Sequence, residues 1–556
     1  MDACPLILVV GGDALADGVC EELRTTEGLD VRVLWPISRD ADDELRAADV
    51  ERAASILTLS NDDGLNLAVA LRARMLNPRI RIVLRQFDPL LGTKIEQNLP
   101  DCTVFSPAAH SAATYAAAAL DEDCLFALRF PAVGGPLLEF TRAAADSLGV
   151  SGLTVWEAEK RLHRRILAVG ERLEPPGGAS IAHGDLVVSF GPVVERQKRR
   201  RQHEAVSDPE RAAHPLRRLL DTNRIHEAWR GLNPVLRLLI VSAICFFALS
   251  FCYFHFVLHK TLAAASFFVV ATMTNVGFGD STVTLQGPLV TAGAITAMLG
   301  GIVFTSIFIG YVSSALTRAQ WISMQGLRRI RARDRVVICG GGKIGSAVMS
   351  LLTAMGKHVI VIDPNPDATL VRRARERDLD LLTGDALRDD ALDLCDIPNA
   401  TAVLALTDND AVNLEVALAA RARSADVPLV VRMENDAFAR AAGALFGIAT
   451  FSPAALTAPV LADLARHPGT RGRVRYAGTE HGVGQRSQGA TPQTPSAAYS
   501  VPLCVWRGGQ LHVIRDFSDM KPFDELLFLV PLRAGRPIDV KGPAPAASRD
   551  IETGVS

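Results

Sequence analysis

Two stretches of this chain, one toward each end, carry the same residues at one constant offset. Asp49, Ala53, Leu57, Leu59, Asp63, Asn66, Leu67, Ala70, Leu71, Ala73, Arg74, Val83 and Arg85 recur as Asp396, Ala400, Leu404, Leu406, Asp410, Asn413, Leu414, Ala417, Leu418, Ala420, Arg421, Val430 and Arg432. A little further on, Phe105-Ser106-Pro107-Ala108-Ala109 returns as Phe451-Ser452-Pro453-Ala454-Ala455. Chance is a poor source of so long an ungapped register, and an internal repeat constrains the architecture before local propensities are weighed. The chain therefore holds one unit in two copies, with a third part between them.

The unit is α/β. Residues 5–10 form a continuous apolar run ending in Gly11-Gly12, which predicts a buried parallel strand. A helix is predicted over 14–24, strands over 31–34, 56–60 and 80–84, and a second helix over 65–74. Strands alternating with helices imply a doubly wound parallel sheet. Residues 125–194 are richer in strand and turn signals, with a closing strand at 186–192.

The third part is apolar. Residues 238–258 and 289–316 contain no Asp, Glu, Lys or Arg, and each is long enough to span a bilayer. A mean hydropathy of +0.19 with 22% charged residues fits a mixture of soluble and membrane parts. Basic residues precede the first span, including Lys198-Arg199-Arg200-Arg201, and follow the second at Arg318, Arg328, Arg329, Arg331 and Arg333. That bias places both soluble halves and both termini in the cytoplasm of a multi-pass inner (plasma) membrane protein. The run 6–10 is too short for a secretory signal. A net charge of −2 and no aromatic interleaving in the basic linker exclude a general nucleic-acid binder. Nine Cys without a Cys-x-x-Cys pair fit reduced thiols.

Between the two spans lies Asn275-Val276-Gly277-Phe278-Gly279-Asp280. Alternating glycines let a backbone run extended with its carbonyls turned to one side. Irregular backbone at membrane depth survives where it lines a water path or is buried in protein; a glycine turn between buried helices is the other reading. Gly300-Gly301 in the second span offers either a bend, and so a gating hinge, or close helix packing.

After the membrane part, residues 335–339 read as a strand leading into Gly340-Gly341-Gly342-Lys343-Ile344-Gly345. Residues 358–362 are the next strand, and Asp363 ends it. The glycines allow a tight turn and close approach of a pyrophosphate to a helix N-terminus, and the acid can bind ribose hydroxyls. The first copy has Gly11-Gly12-Asp13-Ala14-Leu15-Ala16 instead, without the third glycine, and Leu34-Trp35-Pro36 where the acid would stand. It is expected to be mainly structural, or to bind something other than a dinucleotide. Residues 470–498 are predicted to be a mobile insertion. A small terminal lobe follows with strands over 501–506, 511–514 and 525–530, then a disordered tail from 533.

These motifs carry two resemblances. Asn275 to Asp280 resembles the potassium-channel signature Thr-Val-Gly-Tyr-Gly, with Phe278 in the Tyr place and Asn275 in the Thr place. The repeated unit, with Gly384-Asp385-Ala386 and Leu406-Thr407-Asp408, resembles the RCK (regulator of potassium conductance, TrkA-N-type) domain. Together they imply two Rossmann-like RCK domains flanking an all-α, two-helix pore-loop module. They imply a potassium channel rather than an enzyme: a homotetramer in the lipid bilayer whose cytoplasmic gating ring responds to a nucleotide ligand or a divalent cation. The resemblance implies Gly340, Gly342, Lys343, Gly345, Asp363, Asp385 and Thr407 as contacts of NAD(H) or an adenine nucleotide. Potassium is the implied permeant ion, and Ca2+ is a further candidate ligand.

The corresponding domain boundaries are 1–120 and 121–195 for the first copy and its lobe, 196–233 for a linker and 234–317 for the pore. A second linker at 318–334 then leads to 335–466 and 467–532 for the second copy and its lobe, and to a tail over 533–556. Three other readings stay open. Asn275 brings an amide NH2 to the ion path, which fits a weakly selective or calcium-permeable pore. A membrane-anchored nucleotide-dependent oxidoreductase explains Gly340 to Asp363 but leaves the pore stretch idle. A non-conducting regulatory subunit leaves it idle as well. His255 with His259, and the acidic runs 40–44 and 389–390, are weaker metal candidates beside their readings as interface and solvated charges.

Overall fold

The computed structural model describes residues 4–26, 28–87, 89–132, 134–194, 234–273, 335–377, 379–387, 389–487, 501–521, 524–533 and 536–537, with further positions between 287 and 313. Asn275 to Asp280, the basic linkers, residues 488–500 and the tail 538–556 lie outside them. The chain divides into two units, 199–328 and the remainder.

In the larger unit the first copy runs β1 (Leu6–Val10), α1 (Ala14–Arg24), β2 (Asp30–Leu34), α2 (Asp42–Ala47), β3 (Ala53–Thr58), α3 (Asp63–Leu76), β4 (Arg81–Arg85), α4 (Pro89–Asn98), β5 (Cys102–Phe105) and α5 (Pro107–Ala118). Its five strands are parallel in the order β2-β1-β3-β4-β5. The first lobe follows: β6 (Cys124–Arg129), β7 (Leu137–Ala144), α6 (Ala145–Leu148), α7 (Val155–Leu162), β8 (Arg165–Val169), β9 (Arg172–Leu173) and β10 (Leu186–Pro192). The caps are written in the sequence. The side chains of Asp13 and Asp62 accept from backbone N–H groups in the first turns of α1 and α3, and Ser106 does so ahead of Pro107 in α5.

The smaller unit contains α8 (Pro234–Cys252), continued by a π-helical turn at Tyr253–Val257, and α9 (Leu262–Met273). Gly293 and Gly300 are helical and lie seven residues apart. A methyl group on Gly300 would stand 2.6 Å from the Phe246 ring, and one on Gly293 would stand 2.7 Å from the ring of Tyr253. Phe246 and Tyr253 are also seven apart, so two rings on one helix seat against two glycines on another. Among the described residues, no helix is long and apolar enough to cross a membrane.

The second copy runs β11 (Arg335–Cys339), α10 (Lys343–Ala354), β12 (His358–Asp363), α11 (Ala368–Glu376), β13 (Asp380–Thr383), α12 (Asp389–Leu394), β14 (Ala400–Ala405), α13 (Asp410–Arg423), β15 (Leu429–Arg432), α14 (Asp436–Phe446), β16 (Ala449–Phe451) and α15 (Pro453–Leu464). Its sheet is β13-β12-β11-β14-β15-β16, all parallel. The first copy goes from β2 to α2 in seven residues and has no counterpart of α11 and β13. That leaves β2 as an edge strand.

The copies are not independently closed. Ala112, Ala116 and Tyr115 of α5 pack in one core with Val336, Ile338, Val348 and Leu404 of the second copy. Val460, Leu461 and Leu464 of α15 pack with Ile7, Val9, Val19 and Leu57 of the first. Each closing helix thus covers the other copy's sheet. Arg473 ties the exchange down, with two bonds of 2.8 and 2.9 Å to Asp463 of α15 and one of 2.8 Å to Glu22 of α1.

Two sequence expectations are corrected here. Residues 470–487 are a β-hairpin, β17 (Thr470–Tyr476) and β18 (Thr479–Ser487), turning at Ala477 and Gly478 with positive φ. Val474, Tyr476 and Val483 face a core shared with Phe126, Phe140 and Phe190 of the first lobe. The polar, glycine-rich composition concealed a one-sided strand. β19 (Val501–Arg507), β20 (Gln510–Val513) and β21 (Glu525–Arg533) complete the sheet β17-β18-β21-β19-β20. The expected disordered tail from 533 is corrected at its start, where the short β22 (Arg536–Pro537) folds back to pair antiparallel with the end of β21.

Candidate functional site

In the second sheet the chain winds outward from β11 to β12 and β13, then returns to lay β14 on the other side of β11. Reversals of this kind open a crevice at the carboxyl ends of the strands. Gly340, Asp363 and Thr407 all lie there. Gly340 has φ +102°, and a Cβ on it would stand 2.8 Å from the Thr407 nitrogen. A Cβ on Gly345 would stand 2.0 Å from the Gly340 carbonyl oxygen. These two positions need glycine for backbone clearance. Gly342, the N-cap of α10, has nothing within 4 Å of its Cβ position and faces solvent, which leaves room for a ligand.

The acid is held in place by the loop it faces. Asp363 Oδ2 accepts from the Gly341 N–H at 2.6 Å, and Oδ1 accepts from the Asn365 N–H at 2.8 Å. Thr407 donates its hydroxyl to Asn413 Oδ1 at 2.7 Å. Asn413 Nδ2 in turn donates to the carbonyls of Thr407 and Arg432 at 2.9 and 3.0 Å, joining the ends of β14 and β15. Asp385 accepts from the Leu387 N–H at 2.9 Å and is exposed at the end of β13. Leu370 of α11 roofs Gly341. Lys343 opens α10, and its ammonium stands 3.3 Å from the centroid of the Phe87 ring, in the first copy. Sequence reasoning passed over Phe87, Leu370 and Asn413; the repeat of Asn66 as Asn413 was the one signal for the last.

The first copy's crevice is filled by its own side chains. Arg85 donates to Asp13 Oδ2 at 2.5 Å and to the Leu59 carbonyl at 2.6 Å, and it also bonds Asn61. The Trp35 ring lies against Gly12, where a Cβ would come within 2.2 Å of it. Asn66 repeats the role of Asn413, donating to the carbonyls of Ser60 and Arg85.

Among the described residues, no group of three His, Cys, Asp or Glu could hold a metal ion. His255 Nδ1 is bonded to the Lys260 carbonyl at 2.9 Å, and Asp40 and Asp42 are paired with Arg72.

Residues 336–450 match the family model described as the TrkA-N domain. The chain is 27% identical over 179 residues to potassium channel protein 1 of Methanocaldococcus jannaschii, covering 31% of this chain and 52% of that protein. It is 28% identical over 185 residues to the voltage-gated potassium channel Kch of Escherichia coli K12, covering 32% and 43%. It thus spans about half the length of the curated relatives it matches. Among solved structures, the GsuK channel bound to NAD aligns over 95% of this chain and 77% of that one, at 14% identity and a TM-score of 0.47. The TrkA-N domain of the Escherichia coli inner membrane protein ybaL aligns over 22% of this chain and 87% of that one, at 22% identity and a TM-score of 0.20.

Proposed function

We propose that this protein is a ligand-gated potassium channel in which a nucleotide bound at the second copy biases a pore built from residues 234–317. One observation carries the ligand half of this reading. The loop Gly340 to Gly345, the N-terminus of α10 and the carboxylate of Asp363 converge on one crevice, while the matching crevice of the first copy is filled by Arg85, Asp13 and Trp35. The first copy then serves as a structural partner. A pyrophosphate would lie against the free N–H groups of α10, with Gly342 giving it clearance, and Asp363 would take the ribose hydroxyls. Asp385 and Thr407 line the same crevice, and Lys343 supplies a cation near the phosphates. An adenine dinucleotide or mononucleotide meets these demands.

The pore half rests on the stretch Asn275 to Asp280 and on potassium channels among the relatives. Four chains around one axis would supply the carbonyl rings, with both copies on the cytoplasmic side. A ligand moves such a gate only by binding its open and closed states with different affinity. Asn275 favours a second reading, a weakly selective cation pore.

The test is the reversal potential of the purified chain in planar bilayers with potassium on one side and sodium on the other, with and without NADH or ADP. A value near the potassium equilibrium potential, with an open fraction that changes with nucleotide, is the expected result. Current reversing near zero would favour the weakly selective pore. No current under any nucleotide would remove the channel reading.

A further inference from the structure

The two copies meet at the ligand loop itself. Lys343 is the first residue of α10, so its side chain leaves the helix at the end where a phosphate would dock. It extends instead toward the first copy and places its ammonium 3.3 Å from the centre of the Phe87 ring, within cation–π range. Phe87 follows β4 and is fixed from behind, because Asp63 Oδ2 accepts from the Phe87 N–H at 3.2 Å and from Gln86 Nε2 at 3.0 Å. The ring is also packed against the core that contains Ile344 and Val348 of α10. Arg85 lies over the same ring at 5.1 Å. Partial burial draws the Lys343 pKa down, Asp63 opposes this, and Arg85 adds to it. In the second copy the matching position is Glu434, whose carboxylate is paired with Arg432.

An aromatic face holds an ammonium far less firmly than a phosphate does, since it offers a quadrupole rather than a full negative charge. We propose that Lys343 is a phosphate-responsive latch between the copies: without ligand it is held on Phe87, and a pyrophosphate at the N-terminus of α10 takes it away and loosens the contact of the first copy with the ligand loop. The inference rests on the nucleotide reading above and adds to it a route by which ligand occupancy reaches the first copy. Phe87 competes with the phosphate for one cation, so it works against binding.

Calorimetric binding of ADP and of adenosine to the full-length chain tests this, using wild type, Phe87→Leu, Phe87→Tyr, Lys343→Met and the double variant Phe87→Leu/Lys343→Met. Phe87→Leu should tighten ADP binding about two- to fivefold, the size of an exposed cation–π contact, and leave adenosine unchanged. Phe87→Tyr keeps the ring and should match wild type. Lys343→Met should weaken ADP binding, and on that background Phe87→Leu should have no further effect. If Phe87→Leu acts equally with and without Lys343, or equally on ADP and adenosine, the latch is refuted while the nucleotide site stands. If wild type binds neither ADP nor adenosine, the nucleotide reading fails and the latch falls with it.

Discussion

The phenolic oxygen of Tyr115, in the helix that closes the first copy, donates a hydrogen bond of 2.7 Å to the backbone carbonyl of Phe451, at the end of the last strand of the second. The two rings also meet edge to face, with centroids 5.8 Å apart. This pair stands where α5 crosses onto the other copy's sheet. Tyr115 is fully buried, and burial pushes its pKa well above that of a free phenol. The Phe451 carbonyl keeps a second donor, the Met433 N–H at 3.0 Å. Tyr115→Phe should therefore cost about 1 kcal/mol, one net hydrogen bond, and Tyr115→Ala about 3–5 kcal/mol through the cavity it leaves. Denaturant unfolding of the purified chain measures both.

The glycines of the loop Gly340 to Gly345 should separate into two classes. Gly345→Ala places a methyl group against the Gly340 carbonyl, so it should lower stability by about 1–3 kcal/mol and weaken ADP binding together. Gly342→Ala meets nothing in the protein, so it should cost only the weaker N-cap, about 0.5–1 kcal/mol, while weakening ADP. Equal loss of stability in both variants would contradict this division.

His110 gives the stability a pH slope. Its ring lies between those of Phe105 and Phe126, at 5.1 and 5.7 Å, and burial, helped by Arg471, holds its pKa down at about 3. The unfolded chain binds that proton near pH 6.5 and the folded chain does not. The contribution is therefore complete above pH 6.5 and is lost as pH falls toward 3. Between pH 6.5 and 5 the loss from this group is about 2 kcal/mol. His110→Leu, which installs the residue found at Leu456 in the second copy, should flatten the stability curve over that window.

Gly300 can be tested as a packing notch. Gly300→Ala should disturb the seat of the Phe246 ring at a cost of about 1–3 kcal/mol, and adding Phe246→Ala should recover part of it. A glycine needed only as a bend would show no such recovery. Thermal unfolding of the single and double variants, with bilayer conductance alongside, distinguishes the two roles.

The central strands of both sheets stood out in the sequence because buried parallel strands are rich in uninterrupted apolar runs, as in Leu6–Val10 and residues 336–339, whereas the short strands β5, β13 and β16 did not. The glycine loop and Asp363 were visible for a similar reason: a strand, a turn and a helix in succession leave a pattern. The exchange of α5 and α15 was not visible. Their alanine-rich faces show that they are buried nearly all round, yet nothing local says which sheet they cover. Phe87 was missed because a lone aromatic after a strand has no motif, and its meaning depends on Lys343, which is remote in sequence. The hairpin of β17 and β18 was misread because Gly472, Gly482 and Gly484 resemble linker composition, whereas a Cβ at Gly472 would strike the Phe126 ring and one at Gly484 the Phe528 ring.

The exchanged helices also order events in time. When residues 1–120 have been translated, the α1 side of the first sheet has α1 alone to cover it, because α15 is encoded more than three hundred residues later. The nascent amino-terminal half must wait, the part of that side which α15 covers still bare, until the carboxyl-terminal half arrives. Closure over so wide a sequence separation is slow, and during that wait the half-chain is open to chaperones and to mispairing with the closing helix of a neighbouring polypeptide.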